Sequence, residues 1–539
     1  MHTLKIVMGQ INFLVGDIEG NAKLMLEKAR MAKDVLNANM IVFPELALTS
    51  YPPEDLLFRD DLYIRVHHAL QLIQKSLPSD IAIIFGFPDK KNHHLYNKAI
   101  CLYQQKILAT YTKQELPNYK VFDEKRYFTP KHETCVFEFN GFKIGLLVCE
   151  DVWYPQPIKA AATAGAEFII TINASPFNMK QAQTRENLLS IHVHHHKLPI
   201  LYVNLVGGQD ELVFDGGSFV IDANGAIATQ APYFKESLLP IVLEKSEFNK
   251  LSIISQPLPT MISQHEKIYQ ALVLGLSDYV HKNGFKGVLV GLSGGIDSAL
   301  SCAIAVDALG AENVFGVLMP SQYTAKISIE DATTQAKTLN IKYKTLSIQA
   351  MFECSLKTLK PIFHHKNPSP VEENLQARCR GILLMALSNE MGLMVLTTSN
   401  KSESAIGYTT LYGDMCGGLA ILKDVSKTLV YELARYRNSI NPVIPERIIT
   451  RPPSAELREN QKDEDTLPPY DILDTIIQQY VEQDESIDHI AQAGFDKTLV
   501  ERIVNRIHQN EYKRRQSAPG IRITERAFGK DRRYPITMK

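Results

Sequence analysis

Two groups of residues have types and spacings that could do chemistry. The first is the string SGGIDS at 293–298, set between the apolar run VLVGL and the apolar run ALSCAIAVDAL. A strand that turns through glycines into a helix gathers unpaired backbone N–H groups and the positive end of the helix dipole at one point, and that point binds an anion. Gly294 and Gly295 let the backbone approach a phosphate, and Ser293 and Ser298 add hydroxyl donors. Asp297 would repel phosphates unless a cation stood between them, so its presence predicts Mg²⁺. The GxxxxGK[ST] loop of kinases and GTPases is absent. Farther on, Thr398 and Glu403 follow the apolar run LMVL, at the carboxyl-end edge where α/β sheets place their ligands. Arg378, Asp414 and Lys427 could then serve phosphates and an acceptor substrate.

The second group lies in the first half. Glu45 closes MIVFPE, Lys113 closes ILATYTK and Cys149 closes FKIGLLVC, so all three stand at the ends of apolar strands that one sheet edge could bring together. Glu45 can take the thiol proton, Cys149 can then attack an amide carbonyl, and the Lys113 ammonium can stabilise the thiolate and the developing oxyanion. The competing reading of Cys149 is a small buried hydrophobe, the usual fate of a free cysteine. The run His192, His194, His195 and His196 has no carboxylate at ligand spacing and reads as solvated or packing histidines.

The elements that must position these groups are legible in the hydrophobic pattern. LKIVMGQI, MIVFPEL, DIAIIFGF, NKAICLY, CVFEF, FKIGLLVCE, EFIITINAS, PILYVNLVGG and SFVIDANGAIATQ read as strands. Asn140-Gly141 and Asn224-Gly225 each predict a two-residue hairpin turn. Ile18, Ala22, Met25, Ala29, Ala32 and Leu36 recur at helical spacing and predict a helix over a sheet face. The pattern breaks at residues 245 to 262, where Pro257 and Pro259 mark a linker, and beyond it helix and strand alternate as in a parallel βαβ sheet. The proline-bearing stretch at 450–470 reads as a mobile loop, and a basic segment follows, KRRQSAPGIRITERAFGKDRRYPI. With 539 residues, 45% of them hydrophobic, the chain can build two large α/β domains. Lys plus Arg number 58 against 59 Asp plus Glu, which disfavours nucleic-acid binding and leaves the basic segment to subunit or substrate contacts. There is no apolar run long enough for a membrane, and seven scattered cysteines without a CxxC pair give neither a disulfide framework nor a zinc site, so the expected location is the cytoplasm.

SGGIDS resembles the pyrophosphate loop of the ATP pyrophosphatase superfamily. Together with NLQARCRG, TTSNKSESAIGYTTLYGD and SAEL…QKDEDTLPPYD it is similar, over roughly residues 265 to 539, to the NAD⁺ synthetases, which amidate the nicotinate carboxyl of deamido-NAD⁺. The resemblance implies that Asp297 and Glu403 hold Mg²⁺, that Ser293, Gly294, Gly295, Ser298, Arg378, Thr398 and Lys427 contact ATP or pyrophosphate, and that Tyr408 and Asp414 face deamido-NAD⁺. The SQYTAKISIEDA loop matches less closely, so it assigns no adenosine contacts. FPELALTSYPPEDLL, YTKQELPNYKVFDEKRYF and GLLVCEDVWYP resemble, over about residues 4 to 245, the nitrilase (carbon–nitrogen hydrolase) superfamily, and more narrowly the glutaminase domain fused to NAD⁺ synthetases. That resemblance puts Glu45, Lys113 and Cys149 at the triad positions and implies Tyr119, Glu124, Ser175 and Phe177 as glutamine-site residues.

The expected fold is therefore a nitrilase-like α/β/β/α sandwich over residues 1–250 and a Rossmann-like parallel-sheet domain over 260–539. The expected activity is release of ammonia from glutamine, adenylation of deamido-NAD⁺ by Mg·ATP, and amidation to NAD⁺, in a homo-oligomer joined through the synthetase domain. Free ammonia is protonated in bulk water, which predicts an enclosed passage. The rivals are another ATP-pyrophosphatase amidotransferase, a non-catalytic nucleotide sensor and a tRNA-modifying relative.

Overall fold

The apolar residues of the first-half strands fall on both strand faces, because both faces are covered. Leu4, Ile6, Met8, Met40, Val42 and Ile84 pack in one core with Ile144, Leu146, Ile170 and Val203, while their neighbours Val7, Ile41, Phe43, Ile83 and Phe85 pack in a second core with Ala22, Met25, Val66 and Ile73 of two helices. The structure, a computed structural model, describes residues 2–247, 251–363, 370–459 and 461–538. It divides into two units, Met1–Ile262 and Ser263–Lys539.

The strands of the first unit are β1 (His2–Gln10), β2 (Met40–Val42), β3 (Ala82–Lys91), β4 (His94–Tyr103), β5 (Lys106–Thr112), β6 (Val136–Phe139), β7 (Phe142–Val148), β8 (Phe168–Asn173), β9 (Ile200–Asn204), β10 (Val206–Gln209), β11 (Leu212–Asp215), β12 (Phe219–Ile221), β13 (Ile227–Gln230), β14 (Ser237–Lys245) and β15 (Leu251–Ile253). One sheet has the order β15-β14-β1-β2-β3-β4-β5 and the other β13-β12-β9-β8-β7-β6, with β10 and β11 a separate hairpin. Helices α1 (Ile18–Asp34) and α2 (Asp60–Ser76) cover the first sheet; after the short α3 (Glu124–Tyr127), α4 (Pro155–Thr163) and α5 (Gln181–His196) cover the second. The unit is the four-layer α/β/β/α sandwich. Because β1, β2 and β3 are parallel, as are β7, β8 and β9, the loops after β2, β7 and β8 leave from carboxyl ends.

The second unit is a parallel sheet of β16 (Val288–Gly291), β17 (Val314–Leu318), β18 (Lys342–Thr345), β19 (Met394–Thr397) and β20 (Leu419–Ala420) in the order β18-β17-β16-β19-β20. Its helices are α6 (Gln264–Lys282), α7 (Ile296–Leu309), α8 (Lys326–Thr338), α9 (Gln349–Leu359), α10 (Pro370–Met391), α11 (Lys401–Ile406) and α12 (Lys427–Ile440), followed by a helical cluster built on Leu473, Ile476, Val500 and Ile503. Among the described residues, no helix is long and apolar enough to cross a membrane.

Several expectations change. Asn140 and Gly141 both have positive φ, 50° and 80°, and close a two-residue turn between β6 and β7. The Asn224-Gly225 turn is longer. Only Gly225 has positive φ, and the Asp222 carboxylate accepts from the Asn224 and Ala226 N–H groups, spreading the turn over Asp222–Ala226. The stretch read as linker holds β15 as an edge strand on β14, and residues 248–250 lie outside the described ones. β14 itself pairs along all of β1, although Pro240 interrupts its pattern. The 450–470 stretch, of which residue 460 lies outside the described residues, is tied down: Glu456 accepts from Ser328 Oγ at 2.6 Å and Ala325 N at 3.1 Å, and the Leu457 carbonyl accepts from Gln376 Nε2 at 2.9 Å. The basic segment turns several of its cations inward and leaves Arg515, Lys530 and Arg533 exposed. Lys513 Nζ donates to the Gly407 and Thr409 carbonyls at 2.8 and 2.9 Å, and Arg522 pairs with Asp531 at 2.7 Å.

Candidate active sites

Cys149 is the first residue after β7, buried, with φ of 48°. That left-handed conformation is uncommon for a residue with a Cβ and marks strained turns at functional sites. Glu45 follows β2 by three residues instead of ending it, and Lys113 directly follows β5. Both are fully buried. The turn bearing Glu45 lies so close to β3 that a Cβ on Gly86 would stand 2.2 Å from Leu46 N and 2.9 Å from the Glu45 backbone.

Lys113 Nζ joins two carboxylates, Glu45 Oε1 at 2.8 Å and Glu124 Oε1 at 2.8 Å. Asn97 Nδ2 also donates to Glu45 Oε1 at 2.7 Å, and Ala174 N donates to Oε2 at 3.1 Å, which fixes the carboxylate plane. Tyr51 donates to Glu124 Oε1 at 3.0 Å. With two acids and one base enclosed, burial pushes Glu124 up to about 7 while Lys113 opposes it. Burial works against the Lys113 charge, but Glu124 and Glu45 outweigh it and hold its pKa well above the usual lysine range. Burial, then the charge of Glu45, pushes the Cys149 thiol up against the pull of Lys113, so the resting sulfur carries its proton and needs a base.

The remaining expected residues of this unit lie around that cluster. Tyr119, half exposed, donates to Glu150 Oε1 at 2.9 Å. Ser175, one residue beyond the N–H that caps Glu45, donates its own N–H to Asn204 Oδ1 at 3.0 Å. The Phe177 N–H bonds the Val213 carbonyl at 2.7 Å, and its ring meets Phe234 edge-on at 5.4 Å. Sequence reasoning missed Asn97 and Tyr51, as well as Asp151, which accepts from Tyr111 OH at 2.8 Å and from the Gln114, Glu115 and Val148 N–H groups, tying the Lys113 loop to the Cys149 turn.

In the second unit the 293–298 loop follows β16 and opens α7. Ser293 Oγ and Ser298 Oγ are 3.0 Å apart, and Gly295 N donates to Ser293 Oγ at 3.1 Å. Gly294 has φ of 82°, and a Cβ there would meet the Ser328 carbonyl oxygen at 2.3 Å. Lys427, at the start of α12, bonds Asp297 Oδ2 and lies 3.4 Å from Glu403 Oε1. Asn400 caps α11, accepting from Glu403 N at 2.9 Å, and donates to Asp297 Oδ1 at 2.9 Å. The pair Asn400-x-x-Glu403 is a capping-box spacing, a signal that could have revealed Asn400 from the sequence. Burial raises Glu403 to about 8, against the attraction of Lys427.

Two adjoining cavities open here. One, of about 260 Å³, is lined by the carboxyl ends of β16, β17 and β19, with Leu318, Met319 and Leu384 on its apolar side and Thr398 on its rim. The other, of about 170 Å³, is lined by the glycine loop, Asp297, Glu403, Tyr408, Lys427 and Asp463. Ser293, Asp414, Ala455 and Glu456 line both. Asp414 accepts from Thr410 N at 2.7 Å, and Tyr408 OH lies 3.4 Å from Asp463 Oδ1. Arg378 lines neither cavity: it is exposed and donates to the Leu411 carbonyl at 3.2 Å. Arg380 lines the larger one instead, since helix positions two apart face opposite ways.

Asp297 and Glu403 both reach the Lys427 ammonium and line the smaller cavity, so they present hard carboxylate oxygens to the same region of it. Among the described residues, no group of three or more His, Cys, Asp or Glu could hold a metal. Two carboxylates completed by substrate phosphates are what Mg²⁺ accepts, so the residues present fit that ion.

The carbon–nitrogen hydrolase family model matches residues 5–245 and the NAD synthase model residues 268–517. A glutamine-dependent NAD(+) synthetase of Acinetobacter baylyi is 48% identical over 541 residues, covering 99% of this chain and 98% of that one. One of Xanthomonas campestris is 46% identical, with the same coverage. The solved structure of the Acinetobacter baumannii glutamine-dependent NAD⁺ synthetase, in complex with adenosine diphosphate, is 45% identical, with a TM-score of 0.81 over 99% of this chain and 98% of that one. With both sites laid out on both matched domains, the chain belongs to the family of glutamine-dependent NAD⁺ synthetases.

Proposed function

We propose that Cys149, Glu45 and Lys113 release ammonia from glutamine, and that the second unit uses ATP and this ammonia to convert deamido-NAD⁺ to NAD⁺, AMP and pyrophosphate. The observation that carries this reading is full-length similarity at 48% identity to an enzyme of that name, with a buried Glu–Lys–Cys set in one half and a phosphate loop facing carboxylates in the other.

Glu45, oriented by Asn97 and the Ala174 N–H, takes the Cys149 proton as sulfur attacks the glutamine amide carbon. Lys113 sits against the developing negative charge. Glu45 returns the proton to the departing ammonia, then activates the water that resolves the glutamyl thioester to glutamate. Tyr119, Glu124, Ser175 and Phe177 are assigned to glutamine binding.

In the second unit the larger cavity suits the adenosine of ATP and the smaller one its outer phosphates, met by Ser293, Gly294, Gly295, Ser298 and Lys427. Asp297 and Glu403 would hold Mg²⁺, which neutralises phosphate charge. Thr398 is assigned to ATP, and Tyr408 and Asp414 to deamido-NAD⁺; Arg378, bonded to the segment that carries both, is better placed for the acceptor than for ATP. Ammonia released to water at neutral pH is protonated and loses its nucleophilic pair, so we hold that it passes between the sites without release; a solvent trap that captured all of it during turnover would sink this.

We also assign the chain to the cytoplasm, consistent with seven free cysteines, and to a homo-oligomer. Ile382, Met385 and Met391 leave apolar side chains exposed along α10, while Ala377, Cys379 and Leu384 fill the core, so the outer face suits a second copy.

The test is NAD⁺ formation from deamido-NAD⁺ and Mg·ATP with glutamine or ammonium chloride. Cys149→Ala is expected to abolish the glutamine-driven reaction and keep the ammonium-driven one. If the wild type hydrolyses glutamine yet makes NAD⁺ from neither donor, the acceptor is misassigned.

A further inference from the structure

The larger cavity of the second unit contains a cation that none of the assigned roles uses. Arg380 projects from α10 into it, its Nε donating to the Met319 carbonyl at 3.0 Å, just past the carboxyl end of β17. Among the described residues that is the one hydrogen bond of its guanidinium, and no carboxylate forms an ion pair with it. The buried arginines elsewhere in this unit are matched: Arg437 with Asp307, Arg514 and Arg532 with Glu511, and Arg522 with Asp531. Burial works against the Arg380 charge, and Glu456 and Asp414 act on it from a distance without pairing. A guanidinium half removed from water with donors still free is placed to bind an anion that completes it.

Its place in the cavity identifies that anion. Asp414 and Glu456, the acids that act on Arg380, are also two of the four residues that line both cavities. If adenosine fills the apolar cavity and the outer phosphates the glycine-loop cavity, the phosphate at the junction is the α-phosphate. We propose that Arg380 binds the α-phosphate of ATP and stabilises it as the acceptor carboxylate attacks. In that step a carboxylate oxygen bonds to Pα as the bond from Pα to the bridging oxygen breaks, and the electron pair leaves with pyrophosphate. Charge gathers on the non-bridging Pα oxygens, where a planar two-pronged donor acts most strongly. This rests on the nucleotide reading of the cavity given above.

Calorimetric titration of the full chain with AMP and with adenosine separates the two claims. The wild type is expected to bind AMP more tightly than adenosine by roughly ten- to a hundredfold, the worth of a charge-assisted contact. Arg380→Met should bring the two affinities together at the level of adenosine, whose retained binding reports an intact second unit, lower kcat for ammonium-driven NAD⁺ formation and leave glutamine hydrolysis in the first unit unchanged. Arg380→Lys should restore part of the AMP preference, and it decides the matter if the Met variant does not fold. A variant that still favours AMP as the wild type does overturns the role of Arg380. A wild type that binds no adenosine overturns the cavity reading, and the proposal with it.

Discussion

The chemistry of the first site depends on where one proton sits among three buried groups. Glu45, Lys113 and Glu124 carry a net charge of minus one if all are ionised, and Lys113 bonds both acids at 2.8 Å. Burial therefore favours a neutral Glu124, whose pKa is raised to about 7 from an ordinary value near 4.5. An acid held above its unfolded-state value contributes stability that is complete below the unfolded value and is lost as pH rises through the folded one. Glu124→Gln removes this dependence, so the stability of the variant relative to wild type should improve from pH 5 to pH 8. Thermal unfolding of both proteins at the two pH values checks this; a difference that stays constant or runs the other way contradicts it. Glu45, Lys113 and Cys149 could be picked out by residue type close after apolar strands, although Glu45 stands three residues beyond β2. Asn97 could not, because its bond to Glu45 spans 52 positions and an asparagine within a strand carries no local signal.

At the scale of elements, close approaches of backbone decide where these groups stand. The Glu45 turn can lie against β3 only because Gly86 has no Cβ; Gly86→Ala would push a methyl group into Leu46 N at 2.2 Å. A shift of the turn costing roughly 1–3 kcal/mol is expected. Glutamine hydrolysis should fall steeply, while ammonium-driven NAD⁺ formation holds, as parallel assays of one preparation would show. The elements themselves were largely legible, since short continuous apolar runs and the strand–glycine–helix junction are local. What was not legible is long-range. The β14 strand is set by pairing with β1, more than 220 residues away in the chain, despite Pro240 in its middle. Glu456 and Asp463 look like loop charges until Ser328 and Tyr470 are brought to them. Arg378 and Arg380 are equivalent in composition, and only the rotation of α10 separates them.

For the whole molecule, the proposed homo-oligomer would place its contact on the exposed apolar side of α10, in the second unit. Ile382→Asp is expected to lower the oligomeric state measured by sedimentation while glutamine hydrolysis persists; an unchanged sedimentation coefficient would remove this face from the interface. The two units also differ in how their parts are spread along the chain. Every element of the first lies before residue 263. The second depends on a buried knot in which Lys401, at the start of α11, bonds Glu482 Oε1 at 2.7 Å, Thr524 Oγ1 at 2.8 Å and Asp424 at 2.8 Å, while Asp424 also accepts from the Ile523 and Thr524 N–H groups. The helix that carries Glu403 is thus completed by residues some 120 positions downstream. During synthesis on the ribosome the ammonia-producing half can close long before the ammonia-consuming half has its last strap. A chain cut after residue 510 is therefore expected to hydrolyse glutamine, form no NAD⁺ from either nitrogen source and release its ammonia to the medium. Premature termination would turn a ligase into a nitrogen leak, and quality control of nascent chains bears on nitrogen economy as well as on folding.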